Sequence, residues 1–356
     1  MSAPQATVVL CTRNRAAILP KALETLARQV TDRSFEVIVI DNASDDGTAD
    51  VIADWCRRDE RFRTLHESRI GLSRAKNTGI EAARGKVVLF TDDDVLVDPN
   101  WVEAHLSLLS GRDELLIAGG PIHPIPHDLR AWPDWLGAAS LVDLPMLDHG
   151  PPPRPLGRWD QVWGANMAVP RGVFDRIGPW NEELGRSGDR RGTWEDLEFA
   201  DRVRNAGGQV WFCPGALVYH RVSAARARPR RMLRLAFRRG LDDYVKRVWA
   251  SDERGGARLT CLQQATALLA LAWHLLTWML SSLVFRVVHR RRLFDGARNA
   301  AWCAGSRMME LTLRRTPGAN IPVEPPNLFD HARPVARVIM HACFFVRRVA
   351  LRLAPG

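Results

Sequence analysis

Short unbroken apolar runs alternate, over roughly the first hundred positions, with segments whose apolar residues recur every third or fourth place. Thr7-Val8-Val9-Leu10-Cys11 predicts a buried strand, and Ile18, Leu19, Ala22, Leu23, Leu26 and Ala27 predict an amphipathic helix after it. Phe35 to Ile40 predicts a second strand, ending in the polar turn Asp41-Asn42-Ala43-Ser44-Asp45-Asp46-Gly47-Thr48. That turn opens a helix to about Arg57, and a third helix begins at Gly71 and stops at Gly85. Val87-Val88-Leu89-Phe90 is a strand again. The β-α-β-α order, with strands apolar on both faces, predicts a parallel sheet with helical crossovers.

Further on the pattern changes. From Gly119 to Pro155 the chain is rich in Pro, Trp and His and has little periodicity, which predicts a long binding loop or lid. Trp163 to Val169 reads as a strand, and residues 178–182 and 185–189 as mobile turns. A helix follows from Trp194 to Val203, and Val210-Trp211-Phe212 and Leu217-Val218-Tyr219-His220 read as short closing strands.

Charge divides the chain into two parts. Of 356 residues, those from Arg221 onward carry 25 Lys+Arg against 8 Asp+Glu, whereas the first 220 carry 25 against 32. An acidic front and a strongly basic back predict separate tasks. The six cysteines are scattered without a Cys-x-x-Cys pair, which disfavours a disulfide framework or a structural zinc and suits a reducing cytoplasm. The N-terminal residues lead straight into the first strand without a basic-apolar leader, so this part is expected to stay in the cytosol.

The chemistry concentrates at two acidic clusters. Asp92-Asp93-Asp94 follows the strand Val87–Phe90, at the strand end where open α/β sheets bind ligands. Three adjacent carboxylates repel, and a hard divalent cation, Mg²⁺ or Mn²⁺, shared with a substrate phosphate would relieve them. A solvated acidic loop is the alternative. Glu195-Asp196 reads either as a second functional pair or as ordinary helix N-terminal acids. Basic residues of the helix after Gly71, Arg74 among them, could face phosphate or solvent. His220 alone is better explained by a satisfied core position than by a ligand role. Trp159, Trp163, Trp180 and Trp194 could stack on sugar faces or pack in the core. No Gly-x-Gly-x-x-Gly or Walker loop is present, which weakens dinucleotide and ATPase readings.

Seven short motifs in order resemble the family-2 glycosyltransferases: Thr12-Arg13-Asn14-Arg15, Asp41 with Asp45-Asp46-Gly47-Thr48, Ala75-Lys76-Asn77-Thr78-Gly79, Phe90-Thr91-Asp92-Asp93-Asp94, Gly164-Ala165-Asn166-Met167-Ala168, Trp194-Glu195-Asp196-Leu197-Glu198 and Val218-Tyr219-His220. They cover about residues 6 to 222. The resemblance implies a GT-A-type α/β fold, with a central mostly parallel sheet flanked by helices, that uses nucleotide-diphosphate sugars and inverts configuration. It implies that Thr12, Asn14, Arg15 and Asp41 line the nucleotide pocket, and that Asp92 and Asp94 bind ribose and metal-diphosphate. Asp93 fills the variable middle place, and His220 matches a histidine that completes the metal or diphosphate site. Asp196 matches the general base, with Glu195 its neighbour and rival. Arg13 stands where the family often has an aromatic.

The domain boundary is expected near 222, with residues 223–356 a basic helical region. Arginines from Arg226 to Arg239 interleave with Met232, Leu233, Leu235 and Phe237 as in a basic amphipathic helix. Ala265 to Phe285 has no formal charge, and as a helix it would span roughly 31 Å, enough for a bilayer core. Val335 to Leu353 puts Arg337, His341, Arg348 and Arg352 on a narrow stripe of a largely apolar helix, an interfacial pattern. The expectation is a metal-dependent glycosyltransferase on the cytoplasmic face of a membrane, with a saccharide or lipid-linked acceptor and no nucleic-acid partner. A nucleotidyltransferase or a non-catalytic membrane-bound scaffold are the alternatives. The sugar, base, acceptor and oligomeric state stay open.

Overall fold

The computed structural model describes residues 3–112, 116–128, 131–134, 136, 138–158, 160–187, 190–191, 195–229, 231–236, 295 and 298–303. The expected helices at 265–285 and 335–353 lie outside the described residues, as do Trp159, Trp194, Arg230, Arg238 and Arg239. The chain divides into two compact units, one of Met1–Pro133 with Leu144–Ala227, the other of Asp134–Asp143 with Arg228–Gly356.

The first unit begins β1 (Ala6–Thr12), α1 (Leu19–Ala27), β2 (Phe35–Asp41), α2 (Thr48–Arg58), β3 (Phe62–His66), α3 (Leu72–Ala82) and β4 (Val87–Asp92). It continues with β5 (Val95–Val97), α4 (Trp101–Leu109), β6 (Leu116–Gly119), β7 (Ile122–Pro126), β8 (Arg154–Pro155), β9 (Asn166–Pro170) and α5 (Arg171–Ile177). Two-residue strands β10 (Arg186–Ser187) and β11 (Arg190–Arg191) precede α6 (Glu195–Asn205), β12 (Gln209–Phe212) and β13 (Val218–Val222).

Eight strands form one sheet in the order β3-β2-β1-β4-β9-β6-β12-β8. The first four are parallel, as the alternating pattern predicts. β9 enters antiparallel between β4 and β6, and β8 is an antiparallel edge, so the whole sheet is mixed. Successive strand residues point to opposite faces. Val8 and Leu10 of β1, Val37 and Val39 of β2 and Leu89 of β4 pack with Leu23 of α1 and Trp101 of α4. Val9, Ile38, Ile40, Val88 and Phe90 face the other way, against Ala75 of α3, Phe174 of α5 and Phe199 of α6. Burial on both faces explains why these strands are apolar without alternation.

A smaller sheet, β5-β13-β7, is joined to the end of β4 by the turn at Asp93 and Asp94. The stretch from Gly119, expected to be a loop, supplies β7 in spite of Pro124 and Pro126. β7 is an edge strand. Its Ile122 N–H turns outward to the Leu147 carbonyl, so alternation puts both prolines' missing donors on that outer side. β3 was not expected either: Phe62 is its one buried residue, and the half-exposed positions after it dilute the apolar signal.

In the second unit, Ser140 Oγ donates to Asp295 at 2.7 Å and Arg298 donates to Asp143 at 3.1 Å. Among the described residues no helix is long and apolar enough to cross a membrane.

Candidate active site

Parallel register aligns the carboxyl ends of β2, β1 and β4: Thr12 lies opposite Asp41, and Cys11 opposite Asp92. Polar side chains therefore collect at one end of the sheet, as the chain leaves each strand. The β1–α1 and β2–α2 loops interlock there. Asn14 adopts a left-handed φ of 55°, its N–H donating to Ser44 Oγ and its Oδ1 accepting from Asp45 N–H. Asp41, buried, accepts from Ser44 N–H at 3.2 Å and has His66 Nδ1 3.5 Å away. Asp46 and Thr48 are used locally: Asp46 accepts from the N–H groups of Thr48 and Ala16, and Thr48 Oγ1 accepts from Arg15 N–H.

The three aspartates separate. Asp92, Asp94 and His220 each offer a ligand atom, all within 4.8 Å of one another. His220 comes from β13, whose pairing with β5 sets it opposite Val95, and its Nε2 lies 3.5 Å from Asp94 Oδ1. Asp93 turns to the loop after β1: its Oδ2 accepts from Thr12 Oγ1 at 2.8 Å, and Arg15 Nε lies 3.7 Å from Oδ1. Burial and the neighbouring Asp94 push the Asp93 carboxyl up to about 7, against the pull of Arg15 and Thr12. Desolvation first, then Asp94, also raises Asp92 above the carboxylate range. Two crowded carboxylates and an imidazole fit a hard divalent cation, which would relieve the repulsion that raises Asp92.

A second group lies at the start of α6. Its first turn holds Glu195, Asp196 and Glu198 and its last turn Arg202 and Arg204, each end matched to the helix dipole. Asp196 Oδ1 accepts from Lys76 Nζ at 2.9 Å, and Oδ2 from Gly164 N–H at 2.7 Å. Glu195 lies 3.8 Å from the same ammonium, and its Oε2 has no hydrogen-bond partner. Burial foremost, with Asp196 beside it, raises the pKa of Glu195 although Lys76 opposes this. The side chain of Asp196 is 18% exposed and that of Glu195 6%, so Asp196 is the more open to an incoming group.

Two sequence-predicted residues take other partners. Arg74 is paired with Glu182, Nε to Oε2 3.1 Å, rather than joined to the Asp92–Asp94–His220 group. Trp180 is 1% exposed, stacked on Phe199 at 4.4 Å, with Lys76 Nζ 4.3 Å from its ring centre. It is a core residue, not a sugar platform.

Lys76, Gly164 and Asn166 carry more than sequence reasoning assigned them. Lys76 falls on the buried stripe Ser73, Lys76, Asn77 and Ile80 of α3, and a lysine on a core-facing stripe is the signal available in the sequence. Asn166 Oδ1 accepts from Trp101 Nε1 at 2.8 Å and faces His105 Nε2 at 3.0 Å. Its Nδ2 donates to the carbonyls of Pro121 and Ala216, so one side chain ties β9 to α4 and to the segments before β7 and β13.

Residues 7–178 match the model described as glycosyl transferase family 2. They are a family-2 glycosyltransferase domain. A validoxylamine A glucosyltransferase of Streptomyces hygroscopicus subsp. jinggangensis is 30% identical over 226 residues, 57% of this chain and 52% of that protein. The chain thus spans about half the length of that relative. A glucosyl-dolichyl phosphate glucuronosyltransferase of Haloferax volcanii is 23% identical over 262 residues, 70% of this chain and 80% of that one. Among solved structures, a mannosyltransferase from Pyrobaculum calidifontis in complex with GDP-Man and Mn²⁺ matches with a TM-score of 0.50 and 18% identity. That match covers 87% of this chain and 88% of that one, and the likeness is one of fold, GT-A-like with a large mixed sheet. The family-2 domain carries the Asp92–Asp94 end of the first group, whereas His220 and Asp196 lie beyond residue 178.

Proposed function

We propose that this chain transfers a sugar, with inversion, from a nucleotide-diphosphate sugar to an acceptor hydroxyl, with a divalent metal, Mn²⁺ or Mg²⁺. The observation that carries the reading is the division of labour among carboxylates. Asp92 and Asp94 converge with His220, while Asp196 lies outside that group, on α6 and within electrostatic reach of Asp92. Thr12, Asn14, Arg15 and Asp41 hold the nucleotide at the ends of β1 and β2, with Asp93 fixing Thr12 and Arg15. A bound metal supplies a positive charge that stabilises the departing diphosphate. Asp196 accepts the acceptor's proton as the acceptor oxygen bonds to the anomeric carbon and the bond to the diphosphate breaks.

The acceptor is a lipid-linked saccharide or a cell-surface polysaccharide precursor, met at the cytoplasmic face of a membrane. Support comes from the Haloferax relative, whose name specifies a dolichyl phosphate substrate, and from the basic balance after Arg221. The test is a pair of variants, Asp196→Asn and Glu195→Gln, assayed for turnover and for UDP and GDP binding with Mn²⁺. Asp196→Asn is expected to lower kcat by about 10²–10⁴-fold with nucleotide affinity unchanged. Near-normal turnover in Asp196→Asn, with Glu195→Gln inactive, assigns the base to Glu195 instead. Normal turnover in both removes the base from α6.

A further inference from the structure

Lys76 is 3% exposed, and the ammonium carries a desolvation penalty that α3 does nothing to offset. What holds it comes from elsewhere in the chain. Its Nζ donates to Asp196 Oδ1 at 2.9 Å, lies 3.8 Å from Glu195 Oε1 and sits 4.3 Å from the centre of the Trp180 ring. Burial works against the charge, but the Asp196 and Glu195 carboxylates outweigh it and keep the pKa above the ordinary lysine value.

Gly164 closes the arrangement. Its N–H holds Asp196 Oδ2, and a Cβ placed on it would stand 2.6 Å from Lys76 Nζ and 2.7 Å from Asp196 Oδ1. Only a residue without a side chain lets the backbone come this close to both partners. Asp196 is therefore gripped at both oxygens, from α3 and from the chain entering β9. Glu195 has no hydrogen bond from Lys76, and its Oε2 has no partner.

We propose that Lys76, with the Gly164 N–H, is the positioning device of the Asp196 base: the buried ammonium fixes the carboxylate and makes Asp196, not Glu195, the group that meets the acceptor. This rests on the assignment of Asp196 as base. Lys76 donates its hydrogen bond to Asp196, while its charge is also felt by Glu195 and Asp92; its role here is to position Asp196, not to react. A lysine that merely neutralised two buried acids would set stability and leave kcat alone. One that aims a base sets kcat, because a misplacement of about 1 Å in a catalytic group costs on the order of 10²-fold.

The experiment compares Lys76→Met, Lys76→Arg, Gly164→Ala, Asp196→Asn and the double variant Lys76→Met/Asp196→Asn. Turnover is read as nucleoside diphosphate release, with water as acceptor, from whichever of UDP-glucose, UDP-N-acetylglucosamine and GDP-mannose the unaltered chain cleaves fastest. Binding of UDP and GDP with Mn²⁺ is read by calorimetry. Lys76→Met is expected to lose about 10²-fold in kcat, with a much smaller loss of Mn²⁺-dependent nucleotide affinity because its charge also reaches Asp92. Lys76→Arg should recover part of that loss, and the double variant should be no worse than Asp196→Asn. Gly164→Ala keeps every charge but crowds the pair, and should also lose kcat with affinity intact. It serves as the probe if Lys76→Met does not fold. If Asp196→Asn is inactive while Lys76→Met and Gly164→Ala keep kcat within about threefold, the positioning proposal is overturned and the base assignment stands. Losses that add in the double variant overturn it too. An active Asp196→Asn overturns the base assignment, and the proposal with it.

Discussion

Asp92 and Asp94 face His220 while Asp93 faces Thr12: Asp92 ends β4, and the turn that follows sends Asp93 and Asp94 to different partners. The consequence is measurable residue by residue. Asp94→Asn should weaken Mn²⁺-dependent UDP or GDP binding by more than about tenfold in calorimetry, since it removes one of the two carboxylates proposed to hold the metal. Asp93→Asn should change that affinity by less than about fivefold: Asn can still accept from Thr12, and Arg15 is half-exposed. Equal losses in the two would mean that Asp93 is itself a ligand.

His105 gives a pH prediction clear of the Asp92–Asp94–His220 group. It is fully buried, and desolvation depresses its pKa to about 4, with the Asn166 hydrogen bond opposing. Between about 6.5 and about 4 the unfolded chain binds a proton that the folded chain does not. His105 therefore contributes stability that is present above its unfolded pKa and is lost as pH falls toward 4. The loss is about 3 kcal/mol at most. His105→Gln should flatten the fall in urea midpoint from pH 7 to pH 4.5, and an unaltered fall would show that His105 does not titrate this way.

At the scale of elements, α3 is the connecting piece. It lies against β1 closely enough that a Cβ on Gly79 would stand 2.5 Å from Val9 Cγ1. Asn77 exchanges hydrogen bonds with the backbone of Trp180, and Ser73 donates to the Leu184 carbonyl. So α3 fixes the sheet on one side and the segment after α5 on the other, and carries Lys76 between them. Gly79→Ala should cost about 1–3 kcal/mol in urea unfolding, because Val9 sits in a filled core and has nowhere to move. Gly172→Ala is the contrasting case. Nothing lies within 4 Å of its Cβ position in α5, and alanine there should stabilise by about 0.5–1 kcal/mol. If the two substitutions behaved alike, close packing of α3 on β1 would not be what decides the cost.

For the whole molecule, the contrast between an acidic first 220 residues and a basic remainder, 25 Lys+Arg against 8 Asp+Glu, makes a prediction about surfaces. Each basic residue near an anionic bilayer contributes about 1 kcal/mol, screened within a Debye length. The full chain should float with vesicles containing anionic lipid. Raising the salt should release it if electrostatics dominate and leave it bound if an apolar helix inserts. A chain that does not float with these vesicles at low salt would rule out the membrane role.

Elements set by local pattern were legible in the sequence alone. Three of the four parallel strands, β1, β2 and β4, and their helices follow from apolar runs and helical spacing, since burying those residues leaves a layered α/β arrangement as the simplest solution. Asp92 to Asp94 at a strand end and the acids of α6 could be read the same way. Contacts between distant segments could not. The antiparallel entry of β9, the proline-bearing edge strand β7 and the weakly apolar β3 depend on partners that periodicity does not name. His220 meets Asp94 only because β13 pairs with β5 in one register. Which oxygen each aspartate offers, and to whom, depends on side-chain direction. Lys76 shows the limit most clearly: its place on the buried stripe of α3 is written in the spacing, but the carboxylate that makes a buried ammonium tolerable lies on α6. Tertiary packing alone brings the two within 2.9 Å, because the charge has water as its partner until the chain folds.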